Sequence, residues 1–332
     1  MDKDLYEQLT DKVFLTGSKI IPQLFRMIAD EEEARLMLAM PGTAAELAER
    51  VGRDPQEVED SLNALYRKGL AFKSSKPQGV VWRMVRDLVQ FHDATLVWSE
   101  APQEYLDLWQ RYMEEEWPSY AAVVTKMLPR PFTRVIPVNL PVEMKSSILA
   151  YDDVERLIEE AGRVAVTRCT CRTISGKCGK PVEVCLQVGK AADYTVDRGS
   201  GREVSKEEAL RIIRECEEAG LVHVTMNRAG ESHFICNCCD DCCQSFTLLI
   251  RDGLNLCDPS RFAATVDPER CTGCGSCLER CYFGALSLEE GEAGSTVSID
   301  GDRCMGCGLC TVVCPEEALS MREVRGADFI PQ

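Results

Sequence analysis

Cys271–Cys281 reads CTGCGSCLERC, and Cys304–Pro315 reads CMGCGLCTVVCP. Both runs space their cysteines as C-x2-C-x2-C-x3-C, and the second repeats the first 33 residues further on. Structural zinc takes four ligands in two C-x2-C pairs. Triplets followed by a fourth cysteine three residues later do not fit that scheme. Soft thiolates at these spacings wrap three corners of an iron–sulfur cubane, and the fourth cysteine of each run reaches the other cluster. The rule assigns one [4Fe–4S] cluster to Cys271, Cys274, Cys277 and Cys314 and a second to Cys304, Cys307, Cys310 and Cys281. Glycines between the ligands let backbone N–H groups approach the sulfides, which favours the reduced state.

These residues resemble the bacterial two-cluster ferredoxin domain, with all eight ligand positions filled. One departure is visible: Tyr282 stands where a proline usually follows the fourth cysteine. Proline there shapes a turn and is not a ligand.

Working outward, the whole chain has 332 residues, enough for two or three domains with real cores. Its 38 Lys and Arg face 54 Asp and Glu, a formal net charge of −16. That balance argues against nucleic acid as the main partner and suits docking to basic patches on another protein. The start, MDKDLYEQLT, is charged from its second residue and holds no apolar signal core. No apolar run reaches the ~18–20 residues of a membrane span. Nineteen cysteines in such a chain point to metal ligation in a reducing cytoplasm rather than to disulfides.

The expected fold class is α+β multidomain. A winged-helix-like domain is expected over residues 1–100. It rests on a capping box at Thr43–Glu46, a second helix opened by Asp54-Pro55 and closed by Gly69, and two strands around a Ser-Lys-Pro-Gln-Gly turn. The second helix would be the DNA reader, yet its first half carries Glu57, Glu59 and Asp60. Carboxylates facing phosphates weigh against DNA binding and favour a protein-interaction role. Residues 101–141 form a connector: helices broken at Pro118, then an extended stretch forced by Pro129, Pro131, Pro137 and Pro141. A cysteine-rich α+β domain follows over 142–257, and the two-cluster domain over 258–332.

The central domain carries two cysteine groups. The first is Cys169, Cys171, Cys178 and Cys185, enough to ligate a third cluster without help; Cys185 is expected in a helix started by Pro181, with the others on the loop before it. Arg168 and Arg172 flank the first pair and would offset cluster charge. The second group lies in CNCCDDCCQ, residues 236–244: Cys236, Cys238, Cys239, Cys242 and Cys243, with Cys257 further on. A helix starting near Asp240 would put Cys239, Cys242 and Cys243 on one face. The groups either supply one cluster each or share a single open-coordinated one; zinc or a dithiol relay is the other reading of the second stretch. Cys216 lies on the apolar stripe of a helix and reads as core. His223 and His233 flank a hairpin turn and read as strand-surface residues, with cluster ligation or proton donation as the alternative.

The adjacent cysteine pairs resemble the CCG-type domains of heterodisulfide-reductase-like subunits, which hold non-cubane clusters, although a CCG triplet and a repeat are absent. From about residue 30 the order of segments is similar to 4Fe-4S binding proteins of anaerobic bacteria: ILAYDDVERLIEEAGRVAV before Cys169, PVEVCLQVGKAADY, then EEALRIIRECEEAGLVHV before ICNCC. That resemblance implies cluster binding and electron transfer. The expected function is therefore an electron-transfer protein with two C-terminal [4Fe–4S] clusters, one or two further central clusters and a redox partner protein. The alternatives are a reductase acting on a small-molecule substrate at the central cluster, and a redox-responsive winged-helix regulator. No G-x-G-x-x-G or G-x-x-x-x-G-K-[ST] cradle accompanies them.

Overall fold

The computed structural model describes residues 3–77, 79–138, 149–230, 232–291 and 294–332. They divide into two compact units. One comprises Met1–Pro118 with Thr173–Ser175 and Val196–Gly201; the other comprises Ser119–Arg172, Gly176–Thr195 and Arg202–Gln332.

In the first unit the helices are α1 (Leu5–Lys12), α2 (Ile21–Ile28), α3 (Glu31–Ala39), α4 (Ala44–Val51), α5 (Pro55–Lys68), α6 (Leu88–Leu96) and α7 (Gln103–Glu115). The sequence's caps work as expected. Thr43 accepts from the Glu46 amide, Asp54 accepts from those of Gln56 and Glu57, and Gly69 closes α5 at φ 83°. Strands β1 (Gly42–Thr43), β2 (Ala71–Lys76) and β3 (Gly79–Met84) form an antiparallel sheet in the order β1-β3-β2. Its hairpin is the expected one; Gln78, at the turn, lies outside the described residues. Phe25 stacks on Phe91 at 4.1 Å between centroids, and Trp109 meets Phe91, Tyr105 and Tyr112 edge-on, so α2, α6 and α7 share one aromatic core.

Helix α8 (Trp117–Met127) follows α7 after a break at Glu116. Pro118 is its second residue and so begins a helix rather than ending one, because the first turn has no use for its missing N–H.

The second unit is built on a seven-stranded sheet. Its strands are β4 (Thr133–Val135), β5 (Val164–Arg168), β6 (Glu183–Val188), β7 (Arg202–Val204), β8 (Val222–Met226), β9 (Phe234–Cys238) and β10 (Cys257–Asp258). Their order is β10-β4-β8-β9-β6-β5-β7, antiparallel except for the β10–β4 pair. The helices with it are α9 (Val154–Glu160), α12 (Lys206–Glu218) and α13 (Phe246–Asp252), while α10 (Thr170–Ser175) and α11 (Lys190–Arg198) begin in this unit and end among residues grouped with the first. The proline-rich connector is thus not merely extended: Thr133–Val135 is a full member of the sheet, since prolines flank the strand without interrupting it. The part of the connector from residue 139 on lies outside the described residues.

A buried ion-pair triad ties this sheet to the tail. Asp152 lies 3.3 Å from Arg134 of β4 and accepts from Arg261 Nε at 2.7 Å, with all three residues nearly sealed from solvent. Removing one member of such a group leaves an uncompensated buried charge, which costs about 3–5 kcal/mol.

The tail begins with β11 (Phe262–Val266) and closes with β14 (Leu319–Glu323), which pair antiparallel across the 52 residues between them. Between them stand α14 (Ser276–Arg280), the hairpin of β12 (Leu286–Gly291) and β13 (Gly294–Ile299), and α15 (Leu309–Val312). The helices are short turns that start after the second ligand and its glycine (Cys274-Gly275, Cys307-Gly308) and carry the third ligand, Cys277 or Cys310, so each cysteine motif is a loop running into a short helix.

Candidate metal centres

In the tail, Cys271, Cys274, Cys277 and Cys314 line one pocket. Cys281 stands apart from its own run and shares its electrostatic surroundings with Cys304, Cys307 and Cys310. The fourth cysteine of each run also accepts a backbone N–H from four residues on: Ala285 to Cys281 at 3.4 Å and Ala318 to Cys314 at 3.2 Å. Charge-dispersing N–H···S bonds of this kind suit a sulfur carrying negative charge. Gly306, at φ 65°, passes so close to β11 that a Cβ there would lie 1.9 Å from the Phe262 carbonyl oxygen. The cradle fits an iron–sulfur cluster: soft donors around an open cavity, with the backbone packed tightly behind them.

The central cysteines are arranged differently from what their grouping along the chain implies. Cys185 sits in β6, not in a helix, because EVCLQV alternates and is β-branched. Cys169 caps α10 and Cys171 lies inside it, so only Cys178 is on the loop. Residues 240–244 form turns, and the next helix begins only at Phe246, so Cys239, Cys242 and Cys243 do not share a helical face.

The sheet brings six thiols into a closed ring. Leu186 pairs with Ile235 and Gln187 with Phe234; continued by one residue, that register sets Cys185 opposite Cys236. Cys236 and Cys238 share a face of β9 by the two-residue period. Side-chain contacts then run Cys169–Cys171–Cys243–Cys238–Cys236–Cys185 and back to Cys169. Within the ring, hydrogen bonds from Cys171 and Cys185 hold the Cys169 thiol well below its ordinary range, with Arg172 assisting. Cys171 and Cys238 do the same for Cys243. Their donors are pushed up.

Arg172, 3 % exposed, is the cation of this site. Its Nη2 donates to the Asn237 carbonyl at 2.7 Å, while Nε and Nη1 have no hydrogen-bond partner. Burial works to discharge it, but Cys169, Cys239, Cys185 and Cys238 outweigh that and hold it protonated. Two guanidinium nitrogens without partners among buried thiols fit an anionic, sulfur-rich group held by the ring. Arg168 does not share the role, for it is exposed at the end of β5.

Cys178 leaves its sequence group. Its sulfur lies 3.9 Å from Cys239 and 3.6 Å from Cys242, and the Asp241 carboxylate completes a set whose ligand atoms are all within 4.8 Å of one another. Each adjacent pair is therefore split. Cys238 and Cys243 face the ring; Cys239 and Cys242 face Cys178.

Cys216 and Cys257 join neither set. Burial pushes the Cys216 thiol up to about 12, as expected of a core residue. Cys257 is fully buried, likewise raised by burial, and hydrogen-bonded to Thr133. His223 is a correction: it is fully buried, not on the strand surface, with Nδ1 2.5 Å from Asn237 Oδ1 and Nε2 3.3 Å from Glu217. Both ring nitrogens are thus engaged by the protein. His233 is half-buried beside the start of β9.

Tyr282, the departure from the usual proline, has a definite place. Its hydroxyl donates to the Gly220 carbonyl at 2.5 Å and accepts from Lys180 at 2.6 Å, and Lys180 also lies over its ring. The residue after Cys281 thereby fastens the tail to the loop that carries Cys178. Sequence spacing showed the missing proline but not its use.

The family model of the 4Fe-4S dicluster domain matches residues 264–321. The C-terminal region is a ferredoxin-like iron–sulfur domain, and the cysteine runs described above lie inside the match. Searches of curated proteins and of solved structures gave no match. Among the described residues no helix is long and apolar enough to cross a membrane.

Proposed function

We propose that the chain is an iron–sulfur electron-transfer protein whose tail clusters exchange electrons with a third centre held by the six-thiol ring. The observation that carries this reading is one apolar cluster. Cys281 and Cys307, assigned to the second tail cluster, pack in it with Cys236, Cys238 and Cys243 of the ring, among Val222, Phe246, Phe283 and Leu309. The Val138 amide further donates to the Cys307 carbonyl at 3.0 Å, holding that ligand loop against the sheet.

When bound, iron–sulfur clusters supply one-electron transfer at potentials set by charge, hydrogen bonds to sulfur and exposure. The chain's residues grade those conditions along the route. Cys274 is exposed and offers an edge to a partner oxidoreductase. Cys304 and Cys310 are buried, and the ring is backed by apolar side chains and Arg172. We assign cluster one to Cys271, Cys274, Cys277 and Cys314, cluster two to Cys304, Cys307, Cys310 and Cys281, and the domains to 1–100, 101–141, 142–257 and 258–332.

We read the first domain as winged-helix-like, supported by the helices α3, α4 and α5 with the β1-β3-β2 sheet. Glu57, Glu59 and Asp60 are exposed on α5, which supports a protein contact over a DNA contact. We place the protein in a reducing cytoplasm, where nineteen free thiols persist.

The test is a relay experiment. Cys307→Ser should remove or alter cluster two and slow reduction of the ring centre by a low-potential protein donor at least ~10-fold, followed by freeze-quench EPR. An unchanged rate with cluster two absent would sink the relay.

A further inference from the structure

The set Cys178, Cys239, Asp241 and Cys242 differs from the other cysteine sites in one measurable respect: it is tight. Among the described residues it is the one group in which three or more Cys, His, Asp or Glu ligand atoms all fall within 4.8 Å of one another. The eight ferredoxin cysteines and the six ring thiols do not close to that degree. A cubane explains the difference, because it binds one thiolate at each of separate iron corners and so holds them apart. A single tetrahedral ion does the reverse. With metal–sulfur bonds of about 2.3 Å, its thiolates stand about 3.8 Å apart. The observed separations are 3.6 and 3.9 Å.

We propose that Cys178, Cys239, Cys242 and Asp241 bind one zinc ion, separate from every iron–sulfur cluster of the protein. Three thiolates and a carboxylate are a four-coordinate zinc donor set. Four anionic ligands around a divalent ion leave a net charge of about −2. Two cations stand ready to offset it: Arg172 and Lys180 both interact with Cys239, and Lys180 lies 3.8 Å from Asp240.

The ion has a structural consequence for its neighbour. Cys239 and Cys242 are joined through single peptide bonds to Cys238 and Cys243, which belong to the ring. Fixing the first pair fixes the direction in which the second pair points. Zinc has no redox chemistry of its own, so it holds the ring's loop without entering the electron path. The site goes beyond the relay and stands or falls separately from it.

The experiment is metal analysis and zinc K-edge absorption of the full chain, purified without oxygen and without a histidine tag. The expected result is about one zinc per chain, with three sulfurs at about 2.3 Å and one oxygen at about 2.0 Å. Cys178→Ser should reduce the sulfur count to two or release the zinc. Less than a tenth of an equivalent of zinc in the wild type would overturn the proposal. So would a Cys178→Ser protein whose zinc shell is unchanged, or one that keeps its zinc and loses about four irons, a cubane's worth. Iron content reports independently on the ring, so an empty ring with zinc present would remove the relay and leave this site standing.

Discussion

Replacing Gly306 by alanine should remove about four irons per chain, a cubane's worth, while the same change at Gly275 should leave the iron unchanged. Both glycines sit between ligands at positive φ, 65° and 78°. The backbone term is therefore shared, about 1–2 kcal/mol for a residue with a Cβ in the left-handed region. What differs is the space. At Gly275 the nearest atom to a new Cβ is 3.9 Å away, an ordinary contact. At Gly306 the Cβ would meet the Phe262 oxygen at 1.9 Å and Ser260 Oγ at 2.3 Å. Neither can yield cheaply. Ser260 Oγ donates to the Gly306 carbonyl at 2.6 Å and accepts from the Phe262 amide at 3.1 Å, so the clash breaks the contacts that hold the loop to β11. Overpacking of this kind adds about 1–3 kcal/mol, and the lost bonds about 1 kcal/mol each. The total, roughly 4–7 kcal/mol, is large against a domain stability of about 5–15 kcal/mol. The assay is iron and acid-labile sulfide per chain with EPR of the reduced protein. Equal iron loss in the two variants, or none at Gly306, would refute the reasoning.

Three further outcomes follow from single residues. Tyr282→Phe removes an acceptor from Lys180 and a donor from Gly220, and should cost about 1–3 kcal/mol in anaerobic denaturation while the iron content holds. Arg172→Met removes a buried positive charge from the ring. It should lower the ring centre's reduction potential by on the order of 100 mV, read by potentiometric titration, because the more negative reduced state loses more than the oxidised state. An upward shift would contradict the placement of Arg172. Cys216 supplies a pH signature. Its folded thiol is raised to about 12 from an ordinary 9.0, so the folded state holds its proton where the unfolded chain loses it. Stability from this group is present below pH 9 and drains away as pH rises toward 12; Cys216→Ala should flatten that alkaline decline in denaturation midpoints.

What the sequence revealed depended on how local each feature is. The tail's spacings were enough to expect a two-cluster domain there, because ligands three residues apart on one loop have little choice of partner, and Cys271, Cys274, Cys277 and Cys314 do line one pocket. The caps at Thr43 and Asp54 were equally local. Cys185 was misplaced because Pro181 can open a helix, whereas the alternating EVCLQV and its pairing with β5 and β9 decided for a strand. The two cysteine groups proved a poor guide to which central thiols stand together. Which way Cys238 and Cys239 point depends on the face of β9, and which way Cys242 and Cys243 point depends on a turn. Neither is written in the spacing. Asp241 offered a signal that could have been read: a carboxylate enclosed by cysteine pairs on both sides. His223 was hidden for a similar reason, since its partners Asn237 and Glu217 come from a neighbouring strand and the preceding helix.

The most direct test of the account is iron and acid-labile sulfide per chain in protein purified anaerobically, with EPR after stepwise reduction. A third centre in the six-thiol ring predicts about twelve irons if it is another [4Fe–4S] cluster, and a signal beyond those of the two tail clusters. About eight irons, with only two cluster signals, would contradict it.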